Sequence, residues 1–406
     1  MRAGRVRWIV VGLAVVFAGA IAFGVVALTR SAPRLRLATD RLPTAFPGRL
    51  DGLAWPIQGQ AAIAVQGVGV LGSRRSELAA PIASVAKIMT AFLVLRHHPL
   101  GEHGAGPEIR VTEADEAIYH SDRDLGQSTA AVRRGELLSE RQALEALLLP
   151  SGNNVASLLA RWDAGSEDAF VDKMNVEARQ LGMNHTHYSD ASGFSASTVS
   201  TARDQVPLAE AAIGIPALVQ IASLPRARLP VAGDLQNLDD LLGSHGVFGL
   251  KTGSTSAAGG CFVFAARVPA GRRVVNVIGA VLGQPGVGER ELLGSAFAAT
   301  THLLLSARHA LRGFGSVARR GVFGRVVSPW ADPVAARLLR VPALIGWPGL
   351  AVRIQVRPTP DLRAPVSLGQ TVGTAIVRVG RQRARIPLVA SRALPEPSLG
   401  WRLSHP

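Results

Sequence analysis

Residues Trp8 to Thr29 form a run of 22 without one ionisable side chain, preceded by Arg2, Arg5 and Arg7 and closed by Arg30. As a helix such a run spans ~33 Å, enough to cross the hydrocarbon core of a bilayer. The basic flank predicts a cytoplasmic N-terminus over 1–7, an anchor over 8–29 and export of everything that follows. A cleaved signal peptide is the competing reading, because Ala18-Gly19-Ala20 and Ala20-Ile21-Ala22 each offer an A-x-A pattern. The run exceeds the usual signal core of about 7 to 15 residues, which favours the uncleaved anchor. Both readings carry the rest of the chain out of the cytoplasm. There the only cysteine, Cys261, can form no intrachain disulfide, so core packing alone must hold the fold.

The means for such a core are present. With 48% hydrophobic and 18% charged residues, the chain lies far from the disordered class, and 406 residues suggest two domains. Its formal charge of +15 is unevenly placed: residues 306–406 hold 16 arginines and 3 acids, residues 1–40 hold 6 and 1, and the stretch between holds 22 basic and 25 acidic residues. A basic C-terminal segment outside a membrane points to anionic lipid, an anionic wall polymer or an acidic partner. A merely solvated arginine-rich surface is the alternative. Nucleic acid is not expected as a partner, since export removes it and no recognised binding motif accompanies the charge.

A linker over 30–58 contains Pro33, Pro43 and Pro47. Ala61–Gln66 and Val68–Gly72 then read as short strands around Gly67. From Ser84 to Leu95 scarcely any polar face remains, which describes a helix buried on all sides. Ser139 and Gln142 make a capping box for a helix through Leu148 that Pro150 ends. Val247–Lys251, Cys261–Val268 and Arg273–Leu282 read as antiparallel strands, the last two a hairpin across Pro269-Ala270-Gly271-Arg272, with a helix from Glu289 to Leu311 returning over them. These elements set a first domain at 59–313. Beyond it, Ala351–Val356, Thr371–Val379 and Arg385–Val389 are β-like runs separated by Pro and Gly, predicting a small, basic, β-sandwich-like domain over 314–406.

Only three lysines occur against 41 arginines, and two of them stand in serine-containing motifs: Ser84-Val85-Ala86-Lys87 and Lys251-Thr252-Gly253-Ser254. Arginine keeps its proton in a protein, whereas lysine's pKa shifts readily on burial, so retained lysines suggest a need for a deprotonatable or compact ammonium. On a helix Ser84 and Lys87 share a face and come within hydrogen-bond reach. Burial, the helix N-terminus and a second ammonium at Lys251 would each favour a neutral Lys87, able to act as a base toward Ser84. Ser151-Gly152-Asn153 stands between. Alone, each motif is an ordinary helix start, polar turn or strand end. Together and in this order, S-x-x-K, S-x-N and K-T-G define the penicillin-recognising serine enzymes.

The chain resembles the serine-type D-alanyl-D-alanine carboxypeptidases, the low-molecular-mass penicillin-binding proteins of bacteria. The likeness runs from about 60 to 310. It includes Ala83 to Ala91, Met174-Asn175 with Leu181-Gly182-Met183 and Thr186-His187-Tyr188, Ser200-Thr201-Ala202-Arg203-Asp204, and Gly249-Leu250-Lys251-Thr252-Gly253. More weakly, Ala364-Pro365-Val366 through Gly369-Gln370, Val372-Gly373 and Ile386-Pro387-Leu388-Val389 resemble the β domain that often follows. The resemblance implies an α+β, penicillin-binding/β-lactamase-like transpeptidase fold, with an antiparallel sheet and a helical subdomain, followed by an all-β domain.

It also implies roles. Ser84 would attack the carbonyl between the last two D-alanines of a peptidoglycan stem peptide, Lys87 would take its proton, and Ser151 would relay a proton to the leaving D-alanine. Asn153 would hold the substrate amide, Lys251 and Thr252 its terminal carboxylate, and the backbone N–H groups of Ser84 and Ser254 would form the oxyanion hole. β-Lactams would bind covalently at Ser84. No cofactor and no metal are expected. A β-lactamase on the same scaffold is one alternative, opposed by the lack of an E-x-x-L-N segment after Asn153. A non-catalytic wall-binding protein is the other, opposed by the intact set of site residues.

Overall fold

The apolar run forms one helix, α1 (Arg2–Thr29), in a computed structural model that describes residues 2–39, 41–101, 103–318 and 321–405. Of the expected cytoplasmic segment, Met1 and the side chains of residues 2–6 lie outside the described part, as do Arg319 and Arg320 of the basic C-terminal region. An 18-residue stretch within Arg7–Thr29 has a mean hydropathy of 2.8 and no buried residue, so by length and composition α1 can cross a membrane. The chain divides into two compact units, one of residues 49–312 and one of residues 1–48 with 313–406.

This division corrects the expected linker over 30–58. Arg36–Ala38 is strand β1, and Leu35 and Phe46 are buried in the second unit. The alternation Arg34-Leu35-Arg36-Leu37 is the signature of a half-buried strand. The neighbouring prolines masked it.

The unit of residues 49–312 is built on β2 (Gln60–Val65), β3 (Gly69–Arg74), and, far downstream, β4 (Val247–Thr255), β5 (Gly259–Ala270) and β6 (Arg273–Gln284). They form one antiparallel sheet in the order β4-β5-β6-β2-β3. Along β5 the pleat separates two cores. Cys261, Val263 and Ala265 join the helical core, whereas Phe262 points the other way, edge-on to Phe297 at 5.3 Å. Phe297 belongs to α9 (Gly288–Ala310), the helix expected to return over the hairpin.

Between β3 and β4 lies the helical subdomain: α2 (Lys87–His97), α3 (Glu113–Asp124), α4 (Glu140–Leu148), α5 (Asn153–Ala164), α6 (Glu167–Gln180), α7 (Ala202–Ala212) and α8 (Pro216–Ala222). Every residue of α2 from Lys87 to Leu95 is buried, Lys87 and Thr90 included, as a pattern with scarcely any polar face requires. Emptying one such position, Leu93→Ala, costs about 2–5 kcal/mol. The Ser139 capping box closes in both directions: Gln142 N–H donates to Ser139 Oγ at 3.2 Å and Ser139 N–H to Gln142 Oε1 at 2.9 Å. Thr201 Oγ1 caps α7 by accepting from Asp204 N–H at 3.0 Å.

Among its described residues the second unit is all-β apart from its terminal helices and a 3₁₀ turn at Phe314–Ser316. β7 (Val322–Val327), β8 (Val334–Leu338), β9 (Val352–Pro358), β10 (Thr371–Val379) and β11 (Gln382–Ala390) join β1 in one antiparallel sheet of order β1-β7-β8-β11-β10-β9. Phe323, Val326, Val334, Val372, Ala375 and Leu388 fill its core. The chain continues into α10 (Leu399–Ser404).

Candidate active site

Ser84 sits in a 3₁₀ turn, Ala83–Ala86, that runs directly into α2. In a 3₁₀ turn side chains three apart eclipse, which lays Lys87 over Ser84. Their Nζ–Oγ distance is 2.8 Å. The turn is entered through Ala83 at φ +48°, a left-handed conformation that a residue with a Cβ adopts only when its surroundings impose it. Gly193 (φ +78°) packs against that backbone so closely that a Cβ there would lie 2.0 Å from Ala83 O. Only glycine fits.

Lys87 Nζ is fully buried and has two further partners, Asn153 Oδ1 at 2.6 Å and Ser192 O at 2.9 Å. A neutral amine satisfies all three contacts by donating its two protons to the carbonyl oxygens and accepting the Ser84 proton with its lone pair. Burial first, and then the Lys251 charge, hold the Lys87 pKa well below the ordinary lysine value, while Asp190 and Asp122 oppose this. The site is therefore biased toward the base form.

Asn153 is the first residue of α5, where its Nδ2 donates to Gln127 Oε1 at 2.6 Å. Ser151, two residues earlier, is held at φ +67°, and its buried hydroxyl has no hydrogen-bond partner among the described residues. On β4, Lys251 and Thr252 are 2% and 3% exposed, and Lys251 Nζ donates to Thr252 Oγ1 at 3.3 Å. Burial pushes Lys251 down to about 7, against the attraction of Asp239 and Glu289. β4 is the edge strand of the sheet, so it presents unpaired backbone groups beside the Ser84 turn.

Ser84, Asn153 and Ser254 line one cleft of ≈ 550 Å³, together with Gln127, Ser128, Phe194, Thr255, Ser256 and Glu289 among others. Hydrogen bonds thus join Ser84, Lys87 and Asn153 directly. Lys251 and Thr252 lie buried on the strand that carries Ser254, and Ser151 lies two residues from Asn153 without bonding to the others.

Several contributors were not anticipated from the motifs. Asp190 organises the loop that offers Ser192 O to Lys87: its carboxylate accepts from Ser192 Oγ at 2.6 Å, from Phe194 N–H at 3.0 Å and from Thr198 Oγ1. Thr90 Oγ1 donates to Ala191 O at 2.6 Å, tying the same loop to α2. Asp239 is buried with one oxygen accepting from Leu241 N–H at 2.9 Å and the other without a hydrogen-bond partner among the described residues, and burial pushes its carboxyl up to about 7. The advance signal for Asp190 and Ser192 was Asp-x-Ser-Gly at 190–193, a composition shared with ordinary turns.

Comparison with known proteins agrees with this fold. The D-alanyl-D-alanine carboxypeptidase family model, Peptidase S11, matches residues 54–285. A D-alanyl-D-alanine endopeptidase of Pseudomonas aeruginosa is 34% identical over 229 residues, covering 54% of this chain and 70% of the relative. A D-alanyl-D-alanine carboxypeptidase of Mycobacterium tuberculosis is 36% identical over 213 residues, covering 51% and 68%. Among solved structures, a mutant of the Streptomyces K15 DD-transpeptidase superposes with TM-score 0.53 at 25% identity, over 63% of this chain and 99% of that one. Penicillin binding protein 5 from Haemophilus influenzae shares the fold at TM-score 0.57 and 19% identity, over 84% and 99%. With the Ser84–Lys87–Asn153 constellation set in that fold, the chain belongs to the serine D-alanyl-D-alanine carboxypeptidase family, Peptidase S11.

Proposed function

We propose that this protein removes the terminal D-alanine from peptidoglycan stem pentapeptides through an acyl-enzyme on Ser84. The observation that carries the reading is the buried Lys87 amine, bonded at once to Ser84 Oγ, Asn153 Oδ1 and Ser192 O. Ser84 Oγ attacks the carbonyl carbon of the last peptide bond as its proton passes to Lys87 Nζ. The resulting oxyanion accepts from the backbone N–H groups of Ser84 and Ser254. Collapse breaks the C–N bond, and a proton relayed through Ser151 leaves with the D-alanine amine. Water then cleaves the acyl ester, restoring the Ser84 hydroxyl and releasing the shortened peptide. Asn153 orients the substrate amide, and Lys251 and Thr252 bind the terminal carboxylate.

A β-lactam undergoes the same attack on its ring carbonyl, but the severed nitrogen stays tethered to the adduct, so the acyl-enzyme persists. The test is covalent labelling by a fluorescent penicillin. Ser84→Ala abolishes it while the protein stays folded; labelling retained in that variant contradicts the assignment.

The apolar α1 supports an anchored location, with residues 30–406 on the extracytoplasmic side where the wall peptide lies. The arginine-rich C-terminal region then acts as an electrostatic contact to an anionic envelope surface. Binding of the anchor-free protein to anionic vesicles or isolated wall falls as salt rises, because exposed charges are screened beyond a Debye length of about 8–10 Å. Salt-insensitive binding removes this part of the reading.

A further inference from the structure

One ionisable side chain in the cleft has no part in the mechanism above. Of the residues lining it, Glu289 alone carries a charge; Gln127, Ser128, Ser254, Thr255 and Ser256 are neutral hydrogen-bonding groups, and Lys87 and Lys251 are buried. Glu289 is exposed on the second residue of α9, and its Oε1 lies 3.5 Å from Ser254 Oγ. It is also one of the two carboxylates whose field reaches Lys251.

Helix formation does not account for this placement. An acid in the first turn of a helix is favoured by the macrodipole, but α9 has a second one in Glu291. Glu291 also does the capping: its Oε2 accepts from Val287 N–H at 2.9 Å. Glu289 is left facing the cleft beside the strand that carries Lys251 and Thr252. In the carboxypeptidase reading, on which this inference rests, those two residues hold the carboxylate of the leaving amino acid. The side chain of that amino acid therefore comes within the field of Glu289. A methyl group, as in D-alanine, gives the carboxylate nothing to act on, whereas an amine or a second carboxylate does.

We propose that Glu289 is a specificity residue for the leaving side, favouring a leaving amino acid whose side chain carries an amine and disfavouring one that carries a second carboxylate. The relevant substrate class is a D-Ala-D-X peptide bond in which X is cationic.

The test uses the anchor-free protein and three otherwise identical peptides ending in D-Ala-D-Lys, D-Ala-D-Ala and D-Ala-D-Glu, with kcat/KM read at low salt. The wild type prefers D-Lys over D-Glu by roughly tenfold, the scale expected of one charge pair at a partly solvated rim. Glu289→Gln brings that ratio close to one, and Glu289→Lys reverses it. The same peptides, used as competitors against fluorescent penicillin at Ser84, report the preference as affinity where turnover is slow. A D-Lys to D-Glu ratio that is the same in the wild type and in Glu289→Gln, in both assays, overturns the proposal while leaving the carboxypeptidase reading intact. Failure of all three peptides both to be cleaved and to compete overturns the two together.

Discussion

Gly253 lies against the backbone of Ser84: a Cβ at position 253 would stand 2.8 Å from the Ser84 nitrogen and 3.0 Å from that of Val85. The glycine of the K-T-G motif is thus the point where the edge strand meets the nucleophile turn. The atoms it would displace belong to backbone and cannot rotate away. Gly253→Ala must separate β4 from the turn by a sizeable fraction of an ångström. Acylation by penicillin is expected to slow by roughly 10²-fold, the cost of a misplacement near 1 Å, with a much smaller change in melting temperature. Stopped-flow acylation and a thermal melt check the two halves.

Lys87 and Lys251 separate by their response to arginine. Lys87→Arg is expected to be as inactive as Lys87→Ala, because a guanidinium keeps the charge and cannot serve as a base. Lys251→Arg is expected to keep partial activity, since the proposed role of Lys251 is to remain cationic opposite a carboxylate. Comparable acylation by Lys87→Arg and wild type would mean that Lys87 acts only as a charge.

The pH profile follows from the same two amines. With Lys87 as the proposed neutral base, acylation is expected to rise with pH through its depressed pKa, well below the ordinary lysine range. Lys251 is the proposed cation. With its pKa pushed down to about 7 in the free enzyme, kcat/KM for a carboxylate substrate falls as pH rises past that value. The bound carboxylate restores the charge, so kcat shows no matching fall. An alkaline limb of equal size in both parameters would remove Lys251 from substrate binding.

Asp190 is a positioning residue. Asp190→Ala releases four hydrogen bonds in the loop that presents Ser192 O, and it withdraws a negative charge that raises the Lys87 pKa. The maximal acylation rate should drop, and its acid limb should move to lower pH. A purely structural role would lower the melting temperature and leave the limb in place.

The unit of residues 49–312 contains every proposed site residue. A protein of these residues alone should hydrolyse a small soluble D-Ala-D-Ala peptide at close to the full rate. Removing only the region after Gly313 is the wrong cut, because it strands β1 without its partner β7. A large loss of kcat in the isolated unit would give the β unit a part in catalysis.

Much of this organisation was legible in the residues. The largely apolar pattern of α2, the Ser139–Gln142 capping box and the hairpin of β5 and β6 are local signals, written in neighbouring side chains. The blocks around Asn175, Tyr188 and Asp204 also have a physical reason: Asn175 Nδ2 donates to Tyr188 O at 2.8 Å, and Asp204 accepts from Thr186 Oγ1 at 2.9 Å, bracing the loop ahead of α7. What stayed hidden depends on long-range closure. Ser192 acts through a backbone oxygen, which no side-chain pattern reports. Glu289 reads as a helix-start acid until the fold brings it beside Ser254, and β1 finds its partner almost three hundred residues away.

The most direct test of the central claim is the release of free D-alanine from a pentapeptide ending in D-Ala-D-Ala by the purified, anchor-free protein. An acyl-enzyme on Ser84 gives one D-alanine per peptide cleaved, inhibition by penicillin, and no release by Ser84→Ala. Release that persists in Ser84→Ala, or none by a wild-type protein that is labelled by penicillin, would contradict it.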